Sequence, residues 1–103
     1  MKILKIKTIE LDDQAAVIDL MGDNQGSITA NQICIQTDDD CDIEVKGKIV
    51  DDCDFEPVAL IKLEDLSVVS NITAPGIYIG EINAFTAIEF DGTGEAVIKL
   101  LVS

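Results

Sequence analysis

Apolar and polar residues alternate in short runs along most of this 103-residue chain, and turn-forming residues separate the runs. Alternation with a period of two marks β-strands, whose successive side chains point to opposite faces. It predicts strands near 3–11, 15–20, 32–36, 43–50, 58–63, 77–82, 86–90 and 96–102, with a further short one near 67–72. The breaks are "GDNQG" at 22–26, "TDDD" at 37–40, "VDDCD" at 50–54, "APG" at 74–76 and "DGTG" at 91–94. Glycine at such places reaches positive φ, and Asp and Asn fold back on their own backbone. "DGTG" reads as a tight hairpin turn between Phe90 and Ala96. "DDQAAVIDLMG", at 12–22, could form a short helix with an Asp cap and a closing Gly, but Val17-Ile18 and the flanking strands favour a strand. The expectation is an all-β chain: a single, jelly-roll-like β-sandwich of about eight short, mostly antiparallel strands.

The last strand has an unusual pattern. Ala96, Ile98, Leu100 and Val102 share one face, and Val97, Lys99 and Leu101 share the other. A strand with one face in water normally alternates apolar with polar. Here the second face is apolar apart from one Lys, whose stem can itself lie on apolar surface. Val97, Lys99 and Leu101 are therefore candidates for a face covered by another subunit. The plainer alternative is a Val and a Leu left singly on the surface.

Composition narrows the function classes. A hydrophobic fraction of 48% excludes a disordered acidic tail, and the length suits one domain spanning 1–103. The net charge is −13, with no Arg and seven Lys. Three of those, Lys2, Lys5 and Lys7, form a short basic N-terminal arm over 1–7 that could meet an acidic neighbour. Such a charge argues against nucleic acid, whose phosphates require Lys and Arg, and against an anionic membrane surface. No run approaches the roughly 20 apolar residues of a membrane helix. "MKILKIKTIE" is followed by no small-residue cleavage site, and three Cys suggest thiols in a reducing cytosol.

The candidate chemistry is thin. Asp38, Asp40 and Asp42 have the opening spacing of a calcium loop, but Ile43 stands where Gly belongs and Ile49 where the bidentate Glu belongs. A solvated hairpin turn is the simpler reading. Cys34, Cys41 and Cys53 lack a C-x-x-C, and the chain has no His to complete a zinc site. Without His there is no Ser-His or Cys-His dyad either. No catalytic residue or cofactor is expected, and the chain reads as a non-enzyme.

The region 32–103 resembles the small β-sandwich virion proteins of tailed bacteriophages. The likeness rests on Phe55-Glu56-Pro57-Val58 at the middle turn, "SNITAPGIY" at 70–78, and the closing segments 86–90 and 96–102. The Trp before the middle turn and the Arg in the penultimate strand, frequent in those modules, are absent here, which removes the basis for a glycan contact through them. The resemblance implies a virion structural protein assembled in the host bacterial cytoplasm, with an auxiliary capsid (decoration or cement) protein foremost. Its partners would be other virion proteins, or copies of itself in an oligomer or lattice. An alternative is a tail or fibre module binding a host-surface glycan through Tyr78, Phe55 and Phe85. A third is an acidic mimic of DNA, which would need carboxylates spaced like phosphates.

Overall fold

"DGTG" does not close a hairpin. In the computed structural model, which describes residues 2–20, 31–50, 52–82 and 85–102, residues 87–102 form one continuous strand that bends at this point. The elements are β1 (Lys2–Asp19), β2 (Gln32–Thr37), β3 (Asp42–Lys48), β4 (Glu56–Pro57), β5 (Leu60–Lys62), β6 (Ser67–Val69), β7 (Asn71–Ile72), β8 (Gly76–Glu81) and β9 (Ala87–Val102). The described residues are all-β, as expected, and the strand pairings are antiparallel. The two strands expected over 3–20 are also one. β1 runs antiparallel to β9 along its whole length, so residues 2–7, the basic arm, lie inside this long ribbon.

The ribbon belongs to both layers of the fold. The first half of β9 pairs with β3, from Ala87 to Thr93, and the second half pairs with β2, from Val97 to Leu101. One layer is thus β1-β9-β2-β8-β5-β6. The other is β1-β9-β3, with β4 and β7 on the far edge of β3. The result is a curled antiparallel sheet that closes on itself as a sandwich. "GDNQG" lies outside the described residues.

Two local features make the bend. Gly92 and Gly94 have φ of 137° and 125°, which L side chains rarely adopt. A Cβ on Gly92 would fall on the Asp42 carbonyl, and one on Gly94 would fall on the Cys41 side chain. Opposite them β1 carries one extra residue, Asp13, at φ 56°, and the register shifts between Asp12 and Gln14. This bulge inverts which side chains face inward. Before it the buried residues are Ile9 and Leu11; after it Ile18 is buried, and Ala16 and Leu20 pack against the core.

The core lies between the layers. Ile33 and Ile35 of β2, Ile43 and Val45 of β3, Leu60, Tyr78, and Ile88, Phe90, Ile98 and Leu100 of β9 fill it. Each large apolar side chain buried this way contributes about 1.5–3 kcal/mol. The polar groups that enter are satisfied. The hydroxyls of Thr37 and Tyr78 both donate to the Ala74 carbonyl, at 3.2 and 2.7 Å, which pins the "APG" turn to β2 and β8. Among the described residues no buried side-chain N or O lacks a partner.

Candidate interaction surface

The two outer faces of the sandwich differ in chemistry. On the layer built from β3 and the first half of β9, the outward residues are Asp42, Glu44, Lys46, Glu89 and Asp91, with Asn71 beside them. Lys46 makes an ion pair with Glu44 at 2.9 Å, and this bond together with the charges of Glu44, Glu89 and Asp91 holds its ammonium above its ordinary range. Asn71 Nδ2 donates to Asp42 Oδ1 at 3.0 Å. Carboxylates therefore occupy a sheet face as well as the turns where the sequence pattern had placed them. Lys46 interrupts the carboxylate rows, so they do not repeat like phosphates along a strand.

The opposite outer face is mostly apolar. Register alone aligns one row across six strands: Ile6 stands opposite Lys99, Lys99 opposite Cys34, Cys34 opposite Ile79, Ile79 opposite Ile61, and Ile61 opposite Val68. A second row runs Thr8, Val97, Gln36, Ile77. Ile6 is 58% exposed, Val68 69%, Val97 42% and Ile61 40%. Apolar residues scattered singly on a surface are ordinary, but a contiguous field of them is a feature of interaction sites. At one end the face deepens into a groove of about 450 Å³ lined mainly by Pro57, Ala59, Ile61, Val68, Ile79 and Phe85, with Glu81 the one charged residue among its lining.

The candidates from the sequence fall as follows. Val97, Lys99 and Leu101 all lie on the apolar face, with Val97 exposed and the other two half-buried. Lys7 is exposed, and the backbones of Lys2 and Lys5 pair with Val102 and Leu100. The structure adds Ile6, Ile61, Val68, Ile77 and Ile79, which the alternation of β9 alone does not reveal. Asp38, Asp40 and Asp42 do not converge: Asp38 lines a cleft with Asp39 and Glu95, whereas Asp42 lines a separate hollow with Glu44, Asn71 and Asp91. Among the described residues no three metal-ligating side chains gather.

The three cysteines are free thiols. Cys41 packs against the core and donates to the Ile72 carbonyl at 3.4 Å. Burial pushes its thiol above the ordinary range; Thr37 counters this, and Asp40 and Asp42 reinforce it. Of the aromatics considered for glycan contact, Tyr78 is in the core and 2% exposed, and Phe55 lies under the Lys48 ammonium, 4.9 Å from its ring centre.

No protein-family model matches the chain, and no curated protein does. Solved structures share its fold. The SPBc2 prophage-derived protein YomS matches with a TM-score of 0.59 at 9% identity, over 92% of this chain and 89% of that one. The PBSX exported protein XepA matches with a TM-score of 0.61 at 17% identity, over 96% of this chain and 39% of that one. The chain thus spans well under half of XepA. These structural neighbours are phage-derived proteins, and the likeness at such identities is one of fold.

Proposed function

We propose that this chain is a non-enzymatic structural protein of a bacteriophage particle, acting through protein–protein contacts, and that it serves as an auxiliary capsid (decoration or cement) protein. The observation that carries the reading is the contrast between the two outer faces. On a chain of charge −13, the rows from Ile6 to Val68 and from Thr8 to Ile77 carry no carboxylate, and the carboxylates of that face, Glu10 and Glu95 among them, stand at its ends; such a surface is suited to being covered. The fold supports the phage context, since YomS and XepA, both phage-derived, have it. The chemistry supports the structural role: the described residues present packed apolar surface and solvated carboxylates, and neither arrangement supplies a nucleophile with its base.

The glycan-binding alternative has less to stand on, with Tyr78 enclosed in the core. The test is stoichiometric binding of the purified chain to capsids of its phage, followed by electron microscopy of the decorated particles. Saturable binding at lattice positions is the expected result. Absence of the chain from purified particles, together with failure to bind capsids, would refute the assignment.

A further inference from the structure

The apolar face is self-complementary, and we infer that its occupant is a second copy of this chain. The inference rests on reading that face as an interface; what it adds is the partner and the geometry.

Consider the face as columns of strands in the order β1, β9, β2, β8, β5, β6. A two-fold axis lying between two stacked copies and running along β2 exchanges β9 with β8 and β1 with β5. In the central row Ile6 then faces Ile61 of the other copy, and Cys34 faces Cys34. In the next row Val97 faces Ile77. The Ile6–Ile61 and Val97–Ile77 contacts each occur twice and the Cys34–Cys34 contact once, on the axis, as a two-fold interface requires.

Two further observations fit this pairing. The face has a knob on one side and a hollow on the other. Ile6 is 58% exposed on β1, and the groove of about 450 Å³ opens beside Ile61 on β5. The axis brings the knob of each copy to the groove of the other. One charge pair fits as well, while Glu10 and Glu95 lie at the end of the face, beyond the row of Thr8 and Val97. Lys99, the one lysine in the central row, comes to lie over Ile79 and diagonal to Glu81 of the second copy. Among the described residues neither Lys99 nor Glu81 has an ion-pair partner within its own chain. Meanwhile Glu44, Glu89 and Asp91 point away from the contact, on the far layer.

The size of the face sets the strength. Five strands overlap in this stack, β1, β9, β2, β8 and β5, and at about 4.8 Å apart they span roughly 19 Å; sheets stack about 10 Å apart, usually turned by about 30°. Such a contact falls below the roughly 800 Å² per partner of a standard interface. The pairing is therefore weak and reversible.

Sedimentation velocity over a concentration series tests it on the full chain, with three variants. Ile6→Asp and Ile61→Asp each place a carboxylate in the contact from a different strand, at side chains already exposed in the single copy. Each is expected to weaken association about a hundredfold. Val17→Asp, on the other outer face, is expected to leave it unchanged. In a Cys53→Ser background a short bis-maleimide should join two copies through Cys34, and Ile6→Asp should abolish that product. Circular dichroism confirms that each variant is folded; if one fails to fold, the other and the cross-link still decide. A chain that is monomeric throughout the series overturns the inference, as does association that Val17→Asp weakens as much as the others. A monomeric chain that still decorates capsids would overturn the pairing while leaving the virion assignment standing, with a capsid subunit as the occupant of the face.

Discussion

Gly92 is the residue on which the architecture most depends. Its φ of 137° and the Asp42 carbonyl at the place a Cβ would take leave no room for any other residue. Gly92→Ala should cost about 3 kcal/mol or more, read as a lower urea midpoint with an unchanged slope, because both strain and clash act on the strand that joins the layers. Gln14 pairs with this glycine on β1, and beside it the bulge residue Asp13 takes the left-handed region that Asp tolerates better than most residues. Cys41 is a second informative position. Burial raises its thiol, so the folded state prefers the neutral form. The stability this gives is fully present below the ordinary thiol pKa and is lost as pH rises toward the raised one. Cys41→Ser, whose hydroxyl can still donate to Ile72, should therefore show a smaller drop in Tm from about pH 7 to about pH 10 than the native chain. In a thiol-reagent time course Cys53, which is exposed, should react first and Cys41 last.

Among the elements, the β5–β6 hairpin hangs at the edge of the wide layer and is held by a local device. Asp65 accepts from the Ser67 amide at 3.0 Å and from the Ser67 hydroxyl at 2.7 Å, and these bonds lower its carboxyl below the ordinary range. Their contribution is present above the ordinary Asp pKa and is lost as pH falls through the lowered one. Asp65→Ala should speed hydrogen exchange at Val68 and Val69 while leaving the amides of β9 protected, since the change is confined to one hairpin. The same elements show what the sequence made legible. Strand positions followed from alternation because Ile, Val and Leu recur at every second place in β2, β3 and β9. The bend did not, because Asp, Gly and Thr serve a hairpin turn and a bulged strand equally well. One clue was present: the apolar parity changes from Ile9 and Leu11 to Ile18 and Leu20, as it does where a residue is inserted into one continuous strand. The outer face was read from Val97, Lys99 and Leu101 on one strand. Ile79 and Ile61 escaped because β8, "GIYIGE", has apolar residues at both parities, and Tyr78 rather than the two Ile turned inward. A face shared by six strands depends on register between them, and no single strand's sequence contains that.

At the scale of the whole molecule, two opposing forces act on the proposed contact, and salt separates them. Two bodies of charge −13 repel at long range, whereas the apolar face attracts only on contact. The molecule measures about 37 × 29 × 22 Å, so in a stacked pair most carboxylates lie further from those of the other copy than the screening length of about 8 Å at physiological salt. At about 10 mM salt that length grows to roughly 30 Å, and nearly every carboxylate of one copy then acts on the other. The Lys99–Glu81 pairs pull the opposite way, but they are at most two per dimer and lie near solvent, where such pairs contribute about 0–1 kcal/mol. Repulsion should therefore dominate the salt response. Association measured by sedimentation is expected to strengthen as sodium chloride rises from about 10 to about 300 mM, across the range in which the screening length collapses. A basic partner protein would show the reverse trend, losing affinity over the same range. Association of the purified chain that weakens with added salt would mean that charge pairs, and not the row from Ile6 to Ile61, hold the copies together.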